Sequence, residues 1–241
     1  AASDVYKRQA QRLPNKPLKL INNKEMILHV YEAAKKSNAG EVYVATPDKA
    51  IFELVSNYGG KAVLSSETHN TGTDRIFEVF KNTLKSLPNI IVNLQGDMPN
   101  IEPKIIKNLI NYMQQGKCEV GTLASEIKNN FELEDENIVK VLVKEKLKEG
   151  MFSEAIDFLR ANPRKDHKNY HHVGIYAFTS IALTKYVSLK RSKLELNRKL
   201  EQLRAMENGM SIHVGYINSS PLSVDTEKDL FRIKKLMEKN E

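Results

Sequence analysis

The sequence predicts an α/β fold in which a parallel sheet is covered by helices on both faces. Short β-rich runs alternate with amphipathic helical segments along the 241 residues, and the connections between them are only a few residues long. The run at 90–94 (IIVNL) begins as an apolar segment typical of a strand buried on both faces. Asp97 follows it closely, so we expect this carboxylate beyond the carboxyl end of a strand, where open α/β sheets bind ligands.

Composition narrows the class of protein. The formal net charge of +7 and the pI of about 9.2 favour anionic ligands such as nucleotides and sugar acids. The basic residues are spread along the chain, so nucleic-acid binding is open but not favoured. The single cysteine, Cys118, excludes an intramolecular disulfide and suits a reducing compartment. No apolar stretch approaches the roughly 20 residues that span a bilayer, and we expect a soluble, cytoplasmic protein.

The first half of the chain supplies three helical and two strand-like segments before the central run. Their apolar spacing, with Gly59 and Gly60 as a helix stop, predicts helices at 24–37, 47–58 and 76–84 and strands at 41–46 and 61–64.

The second half is less regular. We expect strands at 119–126, 138–144, 170–178 and 211–217, a long helix at 192–208 and a last helix after Thr226. The segment 150–163 is ambiguous, and a polar, acidic loop joins the first two of these strands.

Several polar side chains stand where predicted elements begin or end. Asp97 is a candidate Mg²⁺ ligand, although a loop aspartate that caps a turn is an alternative. Thr73 or Asp74 can cap the following helix, and Arg75 beside that helix N-terminus suits an anion. An ordinary cap with a surface arginine is the alternative there. Asp225 precedes the last helix, where capping alone would account for it.

The adjacent residues His171 and His172 lie on a predicted strand. Successive strand side chains point to opposite faces, so these two rings do not both ligate one metal in a simple way. A structural role is the commoner one for a single strand histidine.

Taken in chain order, the motifs resemble the 3-deoxy-manno-octulosonate (Kdo) cytidylyltransferases, or CMP-Kdo synthetases. The matching segments are 12–18 (RLPNKPL), 69–75 (HNTGTDR), 92–97 (VNLQGD), 172–176 (HVGIY), 200–204 (LEQLR) and 224–229 (VDTEKD). The resemblance implies the nucleotide-diphospho-sugar transferase fold, a Rossmann-like three-layer arrangement with a mostly parallel central sheet. It also implies one cytidylyltransferase domain over residues 12–241, preceded by residues 1–11 that we expect to be non-native or truncated.

The reaction implied by the resemblance is CTP plus Kdo giving CMP-Kdo plus pyrophosphate, with Mg²⁺, for lipopolysaccharide biosynthesis. Such transfer depends on positioning and charge neutralisation more than on covalent help from the protein. The family is typically dimeric, so a homodimer is expected, and the apolar side of the 194–206 helix is a candidate contact. The alternative is that this side packs on its own sheet.

The resemblance also assigns roles to individual residues. Lys16 would contact the CTP phosphates, and Asp97 with Asp225 would hold Mg²⁺, so these three form the catalytic set. The nucleotide-binding positions are Arg12, Lys16, Thr73, Arg75 and Gln95. The sugar-binding positions are Gln95, His172, Glu201 and Gln202.

Three departures from the family pattern bear on activity and specificity. Residues 3–10 do not match the family's Ile-Pro-Ala-Arg phosphate loop, so weak or no CTP turnover, as in a catalytically impaired homologue, is one expectation. Met98 replaces a glutamate, and Glu154 replaces an arginine, for which Arg160 and Arg164 are candidate substitutes. These changes leave another acidic sugar, an amino-Kdo or a nonulosonate, as an alternative. A basic nucleic-acid-binding module is the alternative from another class.

Overall fold

The structure, a computed structural model, describes residues 13–69, 71–83, 88–161 and 167–238, so Arg12, Arg164 and residues 1–11 lie outside it. The described chain forms two compact units. The first contains the described residues of Ala1–Ser86, Gln95–Lys107 and Pro221–Glu241, and the second those of Leu87–Leu94 and Asn108–Ser220. The single domain over 12–241 stays a prediction.

The first unit combines short strands with amphipathic helices. After a 3₁₀ turn at Lys16–Leu18, its elements are β1 (Leu20–Ile21), β2 (Lys24–Glu25), α1 (Met26–Lys36), β3 (Tyr43–Thr46), α2 (Lys49–Asn57), β4 (Lys61–Leu64), α3 (Gly72–Thr83) and α9 (Glu227–Glu238). β1 and β2 pair antiparallel, whereas β3 and β4 pair parallel through the α2 crossover. This strand–helix–strand unit confirms the alternation expected from the sequence.

One apolar cluster of the first unit joins the beginning and the end of the described chain. Leu13, Ile21 and Met26 are fully buried against Val224 and Ile233. Burying such aliphatic side chains stabilises the fold by about 1.5–3 kcal/mol each. The cluster therefore fixes the segment that carries Lys16 beside the segment that carries Asp225.

The second unit is built around a six-stranded mixed sheet. Its strands are β5 (Ile90–Asn93), β6 (Val120–Glu126), β7 (Lys140–Val143), β8 (Phe152–Leu159), β9 (Asn169–Thr179) and β10 (Ile212–Tyr216), in the order β5-β9-β6-β10-β8-β7. β7 also pairs with β9, which closes five of the strands into a barrel-like ring. The helices are α5 (Asn130–Glu134), α6 (Ser180–Ser188), α7 (Lys193–Arg198) and α8 (Gln202–Glu207), while α4 (Pro103–Met113) begins in the first unit and ends in the second.

The prediction of a mostly parallel central sheet is wrong for these six strands. Only β6 and β10 pair parallel, and the other pairings are antiparallel. For β7 and β8 the reason is that the ambiguous segment at 150–163 contains the strand β8, which follows β7 through a short connection. Antiparallel neighbours need only such a connection, whereas parallel ones require a crossover.

The prediction of one long helix at 192–208 is also wrong, because this segment forms two short helices, α7 and α8. Lys199, between α7 and α8, has φ 56° and ψ 44°, a left-handed conformation that ends a right-handed helix. Leu200 and Glu201 then lead into α8. The apolar spacing across this segment is helical, but the turn at Lys199 redirects the chain.

None of the helices in the described part of the chain combines the length and the apolar character needed to cross a bilayer.

Candidate active site

Three residues distant in the sequence meet around one ammonium group in the first unit. Lys16 Nζ donates to Asp97 Oδ2 at 2.9 Å and to Asp225 Oδ1 at 3.0 Å. The side chains are 14%, 21% and 28% exposed, so the cluster lies near the surface but is largely screened from water. The structure thus brings together the three residues to which the sequence assigned catalysis.

Local backbone structure explains how Lys16 and Asp97 reach this point. Lys16 opens the 3₁₀ turn, which follows Asn15 in a left-handed conformation (φ 55°, ψ 32°). Asp97 follows Gly96, where an added Cβ would lie 2.8 Å from Ile27 Cδ1, so a larger residue would require the end of the Ile27 side chain to shift. The Val224 N–H donates to the Asp97 carbonyl at 3.0 Å, which ties the two carboxylate-bearing loops together.

Asp225 does not cap the last helix. The α9 N-terminus is capped instead by Thr226 and Asp229, since Asp229 N–H donates to Thr226 Oγ1 and Asp229 Oδ2 accepts from the Thr226 N–H and hydroxyl. The Asp225 N–H also donates to Asp229 Oδ2, at 3.2 Å. The Asp225 carboxylate is thereby left to contact Lys16, and the capping alternative for this residue is wrong.

Opposing effects act on the pKa of Lys16. Burial alone would lower it, but the charges and hydrogen bonds of Asp97 and Asp225 outweigh burial and raise the pKa above its ordinary value. Lys16 is therefore a cation throughout the physiological range. A fixed positive charge at this place suits a phosphate group as well as a carboxylate.

The same two carboxylates fit a divalent cation. Their oxygens lie within 3.0 Å of one Nζ atom, so they already converge on a single positive centre. Mg²⁺ commonly takes one or two carboxylates and completes its coordination with water and substrate phosphates. Within the described ranges no group of three or more His, Cys, Asp or Glu side chains could hold a metal.

The N-terminus of α3 carries two of the predicted nucleotide-binding residues. Thr71, rather than Thr73 or Asp74 alone, caps this helix, because its hydroxyl accepts from the Asp74 N–H and donates to the Asp74 carboxylate. Thr73 is buried, and Arg75 is half-buried on the first turn. Gln95 belongs to the same unit and is also half-buried. The nucleotide-binding role of these three residues stays a prediction.

His172, in the second unit, is buried inside the barrel-like sheet. Thr122 Oγ1 lies 2.7 Å from the Ile175 carbonyl, to which it donates its only proton, and 2.9 Å from His172 Nε2. The ring therefore donates its Nε2–H to Thr122, and Nδ1 is left as an acceptor. Burial lowers the pKa of His172 to about 3, and the nearby His171 adds to this, so the ring is neutral at pH 7.

The buried His172 ring predicts a pH-dependent stability. As the pH falls below about 6.5, the unfolded chain binds a proton that the folded chain rejects until about pH 3, so stability is lost over this window. Between pH 7 and pH 5 the loss should be about 2 kcal/mol. Urea unfolding at the two pH values should therefore show wild type losing about 2 kcal/mol more than His172→Asn. Equal losses in both proteins would contradict the assignment.

The two remaining sugar-binding candidates lie at the start of α8. Glu201 precedes the helix and is half-buried, whereas Gln202 is its first residue and is buried. Sequence reasoning missed the side chains that hold this segment, namely Tyr186, Glu195 and Arg204. A signal for one of them was present, because the Ser192-x-x-Glu195 spacing is that of a capping box, which the structure contains.

The structure shows the surroundings of the residues that depart from the family pattern and of one candidate substitute. Met98 is buried directly after Asp97. Glu154 accepts from Lys144 Nζ at 2.5 Å across the β7–β8 pair, which neutralises its negative charge. Arg160 donates to the backbone carbonyl of Glu136 at 3.2 Å. These contacts describe the substitutions without fixing the preferred sugar.

Comparison with known proteins gives a consistent result. The sequence profile of a family described as cytidylyltransferase matches residues 8–212. A 3-deoxy-manno-octulosonate cytidylyltransferase from Bartonella henselae is 40% identical over 228 residues, which cover 94% of this chain and 93% of the relative.

Solved structures agree with the sequence relatives. A CMP:2-keto-3-deoxy-manno-octonic acid synthetase in complex with CTP superposes with a TM-score of 0.85 at 35% identity, covering 95% of this chain and 94% of the other. A 4-diphosphocytidyl-2C-methyl-D-erythritol synthase from Anaerococcus prevotii superposes with a TM-score of 0.62 at 14% identity, covering 92% and 93%. The second likeness concerns the α/β fold alone.

Proposed function

This chain belongs to the cytidylyltransferase family, and we propose that it transfers CMP from CTP to Kdo and releases pyrophosphate. The observation that carries the proposal is the convergence of Asp97 and Asp225 on Lys16 within a chain whose relatives are Kdo cytidylyltransferases. A bond forms between the anomeric oxygen of the sugar and the α-phosphorus of CTP. The bond from that phosphorus to the bridging oxygen breaks, pyrophosphate leaves with the bonding electron pair, and the hydroxyl proton passes to water.

Lys16 supplies the fixed positive charge of the site. We propose that its ammonium group contacts the CTP phosphates, where it offsets the negative charge that repels an incoming oxygen nucleophile. Its raised pKa supports this role, because the charge is retained at every pH at which the enzyme would work. Arg12, Thr73, Arg75 and Gln95 are proposed to hold the rest of the nucleotide.

We propose Mg²⁺ as the cofactor, held by Asp97 and Asp225. Bound there, the ion would neutralise phosphate charge and lower the pKa of a coordinated hydroxyl. The contribution of the chain itself is to keep two carboxylates at one point, which the Val224–Asp97 backbone bond and the buried Leu13 and Val224 support.

The sugar-binding residues are proposed to be Gln95, His172, Glu201 and Gln202. His172 is suited to accept a hydrogen bond from a sugar hydroxyl, because its Nε2–H is already donated to Thr122 and the ring is neutral. A neutral acceptor discriminates hydroxyl groups without attracting other anions. Lys144 offsets the negative charge of Glu154, so the charge reversal at this position is compatible with Kdo as the substrate.

The proposal includes the cellular setting predicted from the sequence. We propose a cytoplasmic homodimer that supplies the activated sugar for lipopolysaccharide biosynthesis. Sedimentation at about twice the 27.4 kDa chain mass would support the dimer.

The experiment that tests the reaction is pyrophosphate release with CTP, Mg²⁺ and a panel of acidic sugars. We expect turnover of roughly 1 s⁻¹ or more with Kdo. Preference for an amino-Kdo or a nonulosonate would correct the substrate but keep the chemistry. Absence of turnover with every sugar would contradict the proposal and favour an impaired homologue, the alternative raised by the departures at residues 3–10. Tight, salt-sensitive binding to duplex DNA would instead favour a nucleic-acid-binding module.

A further inference from the structure

We propose that Tyr186, Glu195 and Arg204 are positioning residues that fix Glu201 and Gln202 in the orientation needed to bind the acidic sugar. This inference rests on the proposed function, in which Glu201 and Gln202 contact that sugar. All five residues belong to the second unit. One ion pair, one hydroxyl group and the backbone between α7 and α8 hold this segment in place.

The ion pair is bidentate and buried. Arg204 Nε donates to Glu195 Oε2 at 2.9 Å and Arg204 Nη2 donates to Glu195 Oε1 at 2.7 Å, with 3% and 1% of the two residues exposed. Arg191 Nε adds a third bond to Glu195 Oε1, at 3.0 Å. Burial would raise the pKa of Glu195, but Arg204 and Arg191 outweigh it and lower the pKa, so the pair is charged. A forked pair of this kind fixes orientation as well as distance.

Tyr186 connects this ion pair to the predicted sugar-binding segment. The guanidinium carbon of Arg204 lies 4.7 Å from the centre of the Tyr186 ring, a cation–π contact. The hydroxyl of the same ring donates to the Glu201 carbonyl at 2.9 Å. Tyr186 is itself buried on α6, so a rigid side chain holds both the guanidinium and the Glu201 backbone.

The backbone here needs such support. Lys199 is in a left-handed conformation, and Leu200 N–H reaches back to the Glu195 carbonyl at 3.3 Å. The flanking helices α7 and α8 have six residues each, and helices this short are marginal without tertiary contacts. The direction of Glu201 and Gln202 is therefore set by contacts from Tyr186 and by the ion pair, which lies one turn beyond them at Arg204.

Tyr186→Phe tests the inference because it removes only the hydroxyl and keeps the ring under the guanidinium. We expect the KM for the sugar to rise about threefold to tenfold, the range for one lost hydrogen bond. The kcat and the KM for CTP should stay within about twofold in the same steady-state assays. The matched control is Tyr112→Phe, which removes a hydroxyl bonded to His213 Nδ1 at 2.7 Å in the same unit and should leave the sugar KM unchanged.

Arg204→Lys provides a second test if Tyr186→Phe does not fold. The lysine keeps the charge but loses the forked geometry, so the KM for the sugar should rise about tenfold or more while the KM for CTP stays the same. A purely structural role would lower the melting temperature and leave the sugar KM unchanged, and this result would overturn the inference.

The wild-type assay separates this inference from the proposed function. If wild type turns over no acidic sugar, both fail together. If wild type is active and Glu201→Gln raises the sugar KM while Tyr186→Phe does not, the positioning role alone is wrong.

Discussion

Asp97→Asn is expected to lower kcat by about 10²- to 10³-fold, the cost of removing one preorganised electrostatic group from a transition state. The amide keeps the size of the side chain and accepts a hydrogen bond from Lys16, so the fold should be retained. It loses the negative charge that the proposed Mg²⁺ requires. Steady-state kinetics across a Mg²⁺ titration should show both the lower kcat and a need for more metal.

Glu102→Gln is the matched control for Asp97→Asn. Glu102 belongs to the same unit and forms an ion pair with Lys104 at 2.9 Å, but that pair is exposed and contributes little. Its kcat should stay within about twofold of wild type, since an exposed pair is worth less than about 1 kcal/mol. A loss of less than tenfold in Asp97→Asn, which is about 1.4 kcal/mol of barrier, would show that the metal assignment is wrong.

Local chemistry made the elements of the first unit predictable. Strand β4 lies at the residues expected, and the α1 and α2 helices begin and end within two residues of their predicted limits. Apolar periodicity and the Gly59–Gly60 stop are local signals, and they were sufficient here. The first residues of α3 were missed because the cap is Thr71, whose bond with Asp74 cannot be distinguished from other nearby caps by sequence alone.

Strand pairing in the second unit was not predictable in the same way. The sequence around β8 has apolar residues without a clear period, and its partners β7 and β10 are set by tertiary contacts. β9 is long enough to pair with β6 on one side and with both β5 and β7 on the other. No local sequence pattern predicts these three pairings. Pairing choices of this kind depend on long-range packing rather than on propensity.

The residues of the site could be predicted from the sequence, but the contacts between them could not. Asp97 was selected because it follows a predicted strand, whereas Asp225, which precedes the last helix, was selected and paired with Asp97 through the motif resemblance. Nothing local indicated that Lys16 would lie between them at 2.9 and 3.0 Å, because that depends on Leu13 packing with Val224. The Glu195–Arg204 ion pair was not predicted, because a continuous helix was expected across Lys199 and the chain turns there instead.

Lys16→Met is expected to lower kcat/KM for CTP by about 10²- to 10³-fold and to destabilise the metal-free protein by about 2 kcal/mol. Methionine preserves much of the length but removes the charge that the phosphates and both carboxylates require. In wild type the folded pKa of Lys16 is raised above its ordinary value of 10.5, so this stabilisation is fully present below about pH 10.5. It is lost only as the pH rises further, through the folded pKa. The free energy of unfolding in urea at pH 7, with a chelator present, measures the loss.

Added Mg²⁺ should then stabilise Lys16→Met more than wild type. In wild type the ammonium group already occupies the point on which Asp97 and Asp225 converge, so a divalent cation must displace it. In the variant that point holds no competing charge, and metal at about 100 times its Kd should restore roughly 2.7 kcal/mol. Lys19→Met is the matched control, since Lys19 belongs to the same unit and pairs with the exposed Glu227 at 3.3 Å. Equal Mg²⁺ stabilisation in all three proteins would mean that these carboxylates do not bind the ion.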